Sequence, residues 1–141
     1  MTARLKIAGV QMNPKLMDKS ANLGLILRHM ENTAAAGAQL IVFPECSLSG
    51  YCFESLQEAI PYAEPIPGPA TTAVVAACSR LNVHSVFGLL EHDGSSLYNA
   101  AVLAGPMGLV GKYRKIHLPG LGVDKFVQPG NLGFTVCETP L

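Results

Sequence analysis

Leu40-Ile41-Val42-Phe43 is the most constraining stretch of the chain, because Pro44 and Glu45 follow it directly. Consecutive apolar residues, with β-branched Ile41 and Val42 among them, predict a short strand buried on both faces. Proline has no N–H to give to a ladder, so pairing is expected to stop at Pro44. Glu45 is thereby delivered to the C-terminal end of a buried strand. The loop Cys46-Ser47-Leu48-Ser49-Gly50-Tyr51 can then shape a pocket around it. In α/β folds the carboxyl ends of strands are where ligands and chemistry collect. Taken alone, the same glutamate also fits a solvated loop carboxylate. A second stretch has to decide.

The remaining pattern places this strand in an α/β fold with a mixed sheet. Leu5 to Met12 reads as a first strand, ended by Asn13-Pro14. Asp18 or Ser20 can cap a helix running to about Ala36, with Leu23, Ile26, Leu27 and Met30 on one face and Gly37 at its end. With Gln39 to Phe43 this makes a β-α-β unit, whose crossover should be right-handed. Ser55 to Ala63 reads as a short helix. Alanine-rich Pro69 to Leu81 reads as a second major one, with Val74, Val75, Cys78 and Leu81 on one side. From Val83 the period changes to strands: Val83 to Leu90, an Asp93-Gly94 turn, Leu97 to Ala104, a turn at 105–108, then Leu109 to Tyr113. An antiparallel meander joined to a β-α-β unit implies a mixed sheet with helices on one face. No repeat, low-complexity tract or linker interrupts residues 1–141, which read as one domain or part of one.

Composition excludes several classes of function. Ten Lys and Arg balance ten Asp and Glu, so no electrostatic footprint for nucleic acid or an anionic membrane is present. No apolar run has the length of a membrane span and no signal peptide precedes Arg4, which makes a cytoplasmic location the expectation. No glycine-rich loop follows the first strand, which argues against a nucleotide-binding β-α-β protein. Cys46, Cys52, Cys78 and Cys137 lack zinc-site spacing and read as reduced thiols, with Cys78 a small core residue. Charged residues make up only 14% against 49% hydrophobic, so the chain is expected to need a partner surface, another subunit or more sequence of its own.

The second stretch is Gly111-Lys112-Tyr113-Arg114-Lys115-Ile116-His117-Leu118-Pro119-Gly120. Cations so close together at a strand end would, alone, read as a solvated basic edge. Together, Phe43-Pro44-Glu45 and Tyr113-Arg114-Lys115-Ile116-His117-Leu118-Pro119 resemble the nitrilase superfamily of carbon–nitrogen hydrolases. The likeness extends to Gln11, to the approach from Gly37 to Phe43, to Tyr98-Asn99-Ala100-Ala101 and to Pro129-Gly130.

The resemblance implies an α-β-β-α sandwich, of which this chain is about the first half, and a Glu-Lys-Cys catalytic triad. The family's base falls on Glu45 and its lysine on Lys115, with Asp124 matching a further acidic residue. His117 either braces the lysine loop by a hydrogen bond or takes part in catalysis, and Tyr51 and Phe53 can line the substrate pocket. The implied substrate is a small-molecule amide, carbamoyl compound or nitrile. No metal or organic cofactor is implied, and the intact protein would be a homo-oligomer. A free thiol has a pKa of ~8.5, so such a cysteine needs a carboxylate base to act as a nucleophile.

The nucleophile itself is not expected within residues 1–141. Cys137 reads as part of the strand or turn ahead of the element that would carry it, with Gly133 to Cys137 a strand whose neighbours would lie beyond Leu141. Cys46 adjoins Glu45, but neighbouring side chains on an extended chain point to opposite faces. Cys52 lies in the pocket loop and reads as near the site without belonging to it. The chain alone is therefore expected to be inactive. The rival reading is a non-catalytic module of the same fold that binds a ligand or assembles subunits.

Overall fold

The computed structural model describes residues 4–141. Five strands form one sheet in chain order: β1 (Ile7–Gly9), β2 (Leu40–Val42), β3 (His84–Asp93), β4 (Ser96–Gly105) and β5 (Gly108–Arg114). β1, β2 and β3 run parallel, and β3, β4 and β5 form the antiparallel meander. The crossovers are helices α1 (Lys19–Ala35) and α3 (Pro69–Leu81). A short α2 (Leu56–Ala59) runs into a 3₁₀ turn at Ile60–Tyr62, where Pro61 has no N–H to continue an α-helical ladder.

Local chemistry sets these boundaries. The Asp18 carboxylate accepts the Ala21 N–H at 3.0 Å and caps α1. Gly37, with φ +85°, lets the chain turn out of its far end. Ile26 and Met30 are fully buried on the inner face of α1, while Leu23 and Leu27 flank them half-buried. They pack with Val74, Ala77 and Cys78 of α3 against Ile41, Phe43, Phe87, Leu89 and Val102. Each full burial of a side chain of this size is worth about 1.5–3 kcal/mol before ordering entropy.

Four expectations change. β1 is Ile7–Gly9 rather than Leu5 to Met12, because among the described residues it is an edge strand, and its neighbour β2 is itself three residues long. Burial of β2 is one-sided, with Ile41 fully buried under the helices while Leu40 and Val42 stay half-buried. Gly133 to Cys137 forms no strand. Its approach to the sheet is held by the Gly130 N–H on the Lys115 carbonyl at 2.9 Å, and the Phe134 ring then stacks on Tyr113 instead of entering a ladder. The helices also do not all share one face. α2 joins a second small core of Cys46, Phe53, Ala59, Leu90, Leu97, Val123 and Val127, built on Leu90 and Leu97, whose neighbours Leu89 and Tyr98 alternate to the other face.

Candidate active site

Glu45 opens a turn at residues 45–49 rather than extending β2. The turn is pinned to β3, with the Leu48 N–H and the Ser47 hydroxyl both donating to the Gly88 carbonyl at 3.1 Å. Asn22 of α1, fully buried, donates to the Leu48 carbonyl at 2.9 Å and locks the far end of the turn. Gly88 is required here because a Cβ at this position would lie 2.5 Å from the Cys46 nitrogen and 2.9 Å from the Glu45 Cα. Gly88→Ala is expected to displace the turn and to cost about 1–3 kcal/mol, the usual range for overpacking. Chemical denaturation together with amide shifts at residues 45–49 would show it. Unmoved shifts at those residues would contradict it.

On β5 the alternation of side chains divides the basic stretch. Tyr113 and Lys115 turn to the face that carries Glu45, where they line a cleft of ≈ 310 Å³ together with Phe43, Val86, Asn99 and Ala101. Lys112 and Arg114 turn to the opposite face and pair with buried Glu91. The basic stretch is therefore neither one solvated edge nor one site.

Lys115 Nζ lies 2.6 Å from Glu45 Oε1 and 2.6 Å from Asp124 Oδ2. An ammonium has three N–H donors, so one remains free. Burial works to lower the Lys115 pKa, but the hydrogen bonds and charges of Asp124 and Glu45 outweigh it and hold the group well above the ordinary lysine range. Asp124, buried in the 3₁₀ turn Gly122–Lys125, also accepts the Tyr51 hydroxyl at 3.0 Å and the Asn99 amide at 2.8 Å. Both of its oxygens are occupied. Glu45 is half-exposed, and its Oε1 takes Lys115 and the Asn99 amide, the latter at 2.6 Å. Its Oε2 makes no hydrogen bond within the described residues.

The other expected site residues fall elsewhere. Phe53 is 3% exposed and packs against Tyr62 in the second small core, away from the cleft lining. Tyr51 reaches the cluster through its hydroxyl, and burial together with the Asp124 carboxylate raises that hydroxyl's pKa to about 12, so it remains a donor. His117 is exposed, and the bracing of the lysine loop comes instead from the Tyr113 hydroxyl accepting the Ile116 N–H at 3.2 Å. Cys46 has φ +48°, so the extended geometry expected for it does not hold. Its thiol is buried and faces Asn99 Oδ1 at 3.6 Å. Desolvation, reinforced by Glu45 and Asp124, pushes its pKa far up and keeps it a thiol. Cys78 lies in the main core, Cys52 is exposed, and Cys137 sits over Gly111 beside a neighbouring hollow. No cysteine lines the Glu45–Lys115 cleft among the described residues. Nor does any group of three or more His, Cys, Asp or Glu there suit a metal ion.

Asn99 is the member of the cluster that the sequence does not single out as a site residue. A signal is present all the same, since an asparagine in the middle of the apolar run Leu97 to Ala104 must be hydrogen-bonded when buried.

The sequence matches the carbon–nitrogen hydrolase family over residues 6–141. The chain belongs to this family. It is 42% identical over 136 residues to a nitrilase of Pyrococcus abyssi, covering 95% of this chain and 51% of that protein. To the omega-amidase NIT2 of Danio rerio it is 34% identical over 139 residues, covering 97% of this chain and 47% of the relative. Among solved structures, XC1258 of Xanthomonas campestris, a CN-hydrolase superfamily protein, superposes with a TM-score of 0.80 at 23% identity, covering 92% of this chain and 48% of that one. The fold is thus nitrilase-like, and the chain spans about half the length of these relatives. No helix among the described residues of this carbon–nitrogen hydrolase chain is long and apolar enough to cross a membrane.

Proposed function

We propose that this chain supplies the base and the lysine of a hydrolase acting on small amides, carbamoyl compounds or nitriles. The observation that carries the reading is the free Glu45 Oε2 at the rim of a cleft, beside a lysine with one ammonium proton unspent. For an amide, a cysteine thiol gives its proton to Glu45 and the sulfur attacks the carbonyl carbon. Negative charge gathers on the carbonyl oxygen, where the remaining Lys115 N–H can bind it. The C–N bond breaks as the nitrogen takes the proton from Glu45 and leaves as ammonia or an amine. Water then gives a proton to Glu45 while its oxygen attacks the thioester, and the departing sulfur takes that proton back. No step calls on a metal or organic cofactor, and the working form is a cytoplasmic homo-oligomer.

The nucleophile is supplied by sequence outside residues 1–141, so that these residues alone release no ammonia. A second reading, a non-catalytic module that binds a small amide or assembles subunits, draws support from the absence of a cysteine in the described cleft lining. Ammonia release from a panel of small amides and nitriles separates the two, measured on residues 1–141 and on the full natural reading frame. Turnover by the longer product that falls about 10²–10⁴-fold in Glu45→Gln is the expected result. Binding without turnover by a reading frame that ends at Leu141 would establish the module instead. Steady turnover by residues 1–141 that Glu45→Gln abolishes would refute the need for an outside nucleophile.

A further inference from the structure

Every polar atom of the Asn99 side chain is spent on the cluster. The residue sits in β4, opposite Leu90 of β3, and is 3% exposed. One amide nitrogen donates to Glu45 Oε1 at 2.6 Å and to Asp124 Oδ1 at 2.8 Å. Its Oδ1 accepts the Cys46 thiol at 3.6 Å, and its main-chain carbonyl accepts the Lys115 N–H at 2.8 Å. One residue therefore touches all three charged members of the site.

We infer that Asn99 is a positioning residue for the Glu45–Lys115–Asp124 cluster, whose amide holds two carboxylates on one ammonium and leaves Glu45 Oε2 as the free oxygen. The inference rests on the proposed role of Glu45 as the base. Two like-charged carboxylates converging on Lys115 repel each other, and a donor shared between them offsets that repulsion where water is excluded. Only one of the two amide orientations does this, because the flipped amide would aim its oxygen at both carboxylates. The buried Cys46 thiol donates to Oδ1 at 3.6 Å and so favours the productive orientation, since in the flipped one it would meet the amide with only its weakly accepting sulfur. An aspartate side chain in place of Asn99 would have the right shape but would set a third carboxylate against those of Glu45 and Asp124.

Labelling of lysines by an acetylating N-hydroxysuccinimide ester, followed residue by residue by mass spectrometry at fixed alkaline pH, reads the cluster without any turnover. In Asn99→Ala, Lys115 is expected to label about tenfold faster, the effect of a one-unit fall in its pKa. Lys15 and Lys19, each in a remote ion pair, should be unchanged. An unchanged rate at Lys115 overturns the inference, and so does a uniform rise at all lysines, which would mean that Asn99 merely supports the fold. Asn99→Asp preserves the volume and provides the second reading. Its new carboxyl, followed by ¹³C resonance, is expected to titrate above the ordinary aspartate value because it lies against the Glu45 and Asp124 carboxylates. Titration of that introduced carboxyl near the ordinary value of ~3.9 would overturn the inference as well. If Glu45 proved not to be the base, turnover in Glu45→Gln would reveal it while leaving both of these results standing.

Discussion

Replacing Glu91 by alanine is expected to destabilise the protein by about 3–5 kcal/mol, the usual result of stranding one partner of a buried ion pair. Glu91 is 1% exposed. Its Oε2 accepts Arg114 Nε at 2.6 Å, and its Oε1 accepts Arg114 Nη2 at 2.9 Å as well as the Lys112 ammonium. Arg114, itself buried, lies 3.9 Å over the Tyr98 ring and extends to Asp93 at 2.7 Å and Asn131 at 2.8 Å. Without Glu91 the guanidinium stays in the protein interior with one exposed carboxylate to balance it. The check is urea denaturation followed by circular dichroism, with the double variant Glu91→Leu, Arg114→Met as control. The double variant should recover most of the loss, because neither partner is left charged and alone. A single-variant cost below about 1 kcal/mol, the level of an exposed surface pair, would contradict the assignment.

The same pair sets an acid limb. Burial pushes the Glu91 carboxyl up, but the hydrogen bonds of Arg114 and Lys112 and their charges outweigh it and hold its pKa below the ordinary glutamate range. A carboxyl with a depressed folded pKa contributes stability that is complete above its unfolded value of ~4.3 and is lost as pH falls through the folded value. Stability measured from neutral pH downward should therefore decline more shallowly in Glu91→Ala than in the unaltered protein.

Lys115→Met is expected to reduce hydrolysis by about 10²–10³-fold in the catalytically complete protein and to weaken the fold as well. The two effects share a cause. The Asp124 side chain is fully buried, and its paired cation is Lys115. Removing the ammonium leaves Asp124 and Glu45 facing each other across the Asn99 amide, and one of them is driven to take up a proton. If Glu45 takes it, the proposed base is lost along with the proposed oxyanion partner. Lys115→Arg keeps the charge but replaces a point donor by a planar fork, so it should restore stability more fully than activity. Paired rate and denaturation measurements on both variants test this. An unchanged rate in Lys115→Met would remove the lysine from the reaction.

The pH dependence of this contribution has the opposite sign to that of Glu91. Lys115 has a raised folded pKa, so its contribution is complete below the unfolded lysine value of ~10.4 and fades only as pH rises through the folded one. At neutral pH it is fully present. Lys115→Met should therefore flatten the alkaline limb of stability, whereas Glu91→Ala flattens the acid limb.

The sequence by itself determined the order and type of the main elements, since periodicity and chain punctuation are local. Pro44 ends β2, Asp18 caps α1, and the two-residue turns at 94–95 and 106–107 close the meander. Glu45 was legible as a candidate because it follows the short apolar strand that Pro44 ends, and Lys115 because the two motifs together resemble the carbon–nitrogen hydrolases. The tertiary structure decided whatever depended on register and on packing between distant segments. Alternation alone separates Lys115 from Arg114, but only the β4–β5 register decides which face each one takes. Asn99 and Glu91 were not singled out, because what makes them matter is their partners, which lie up to 54 positions away in the chain. Gly133 to Cys137, expected as a strand paired with sequence beyond Leu141, forms no strand within the described residues. Its alternation permits a ladder, but a strand forms only where a neighbour is in register to accept it, and the nearest edge, β5, meets it with a ring stack instead.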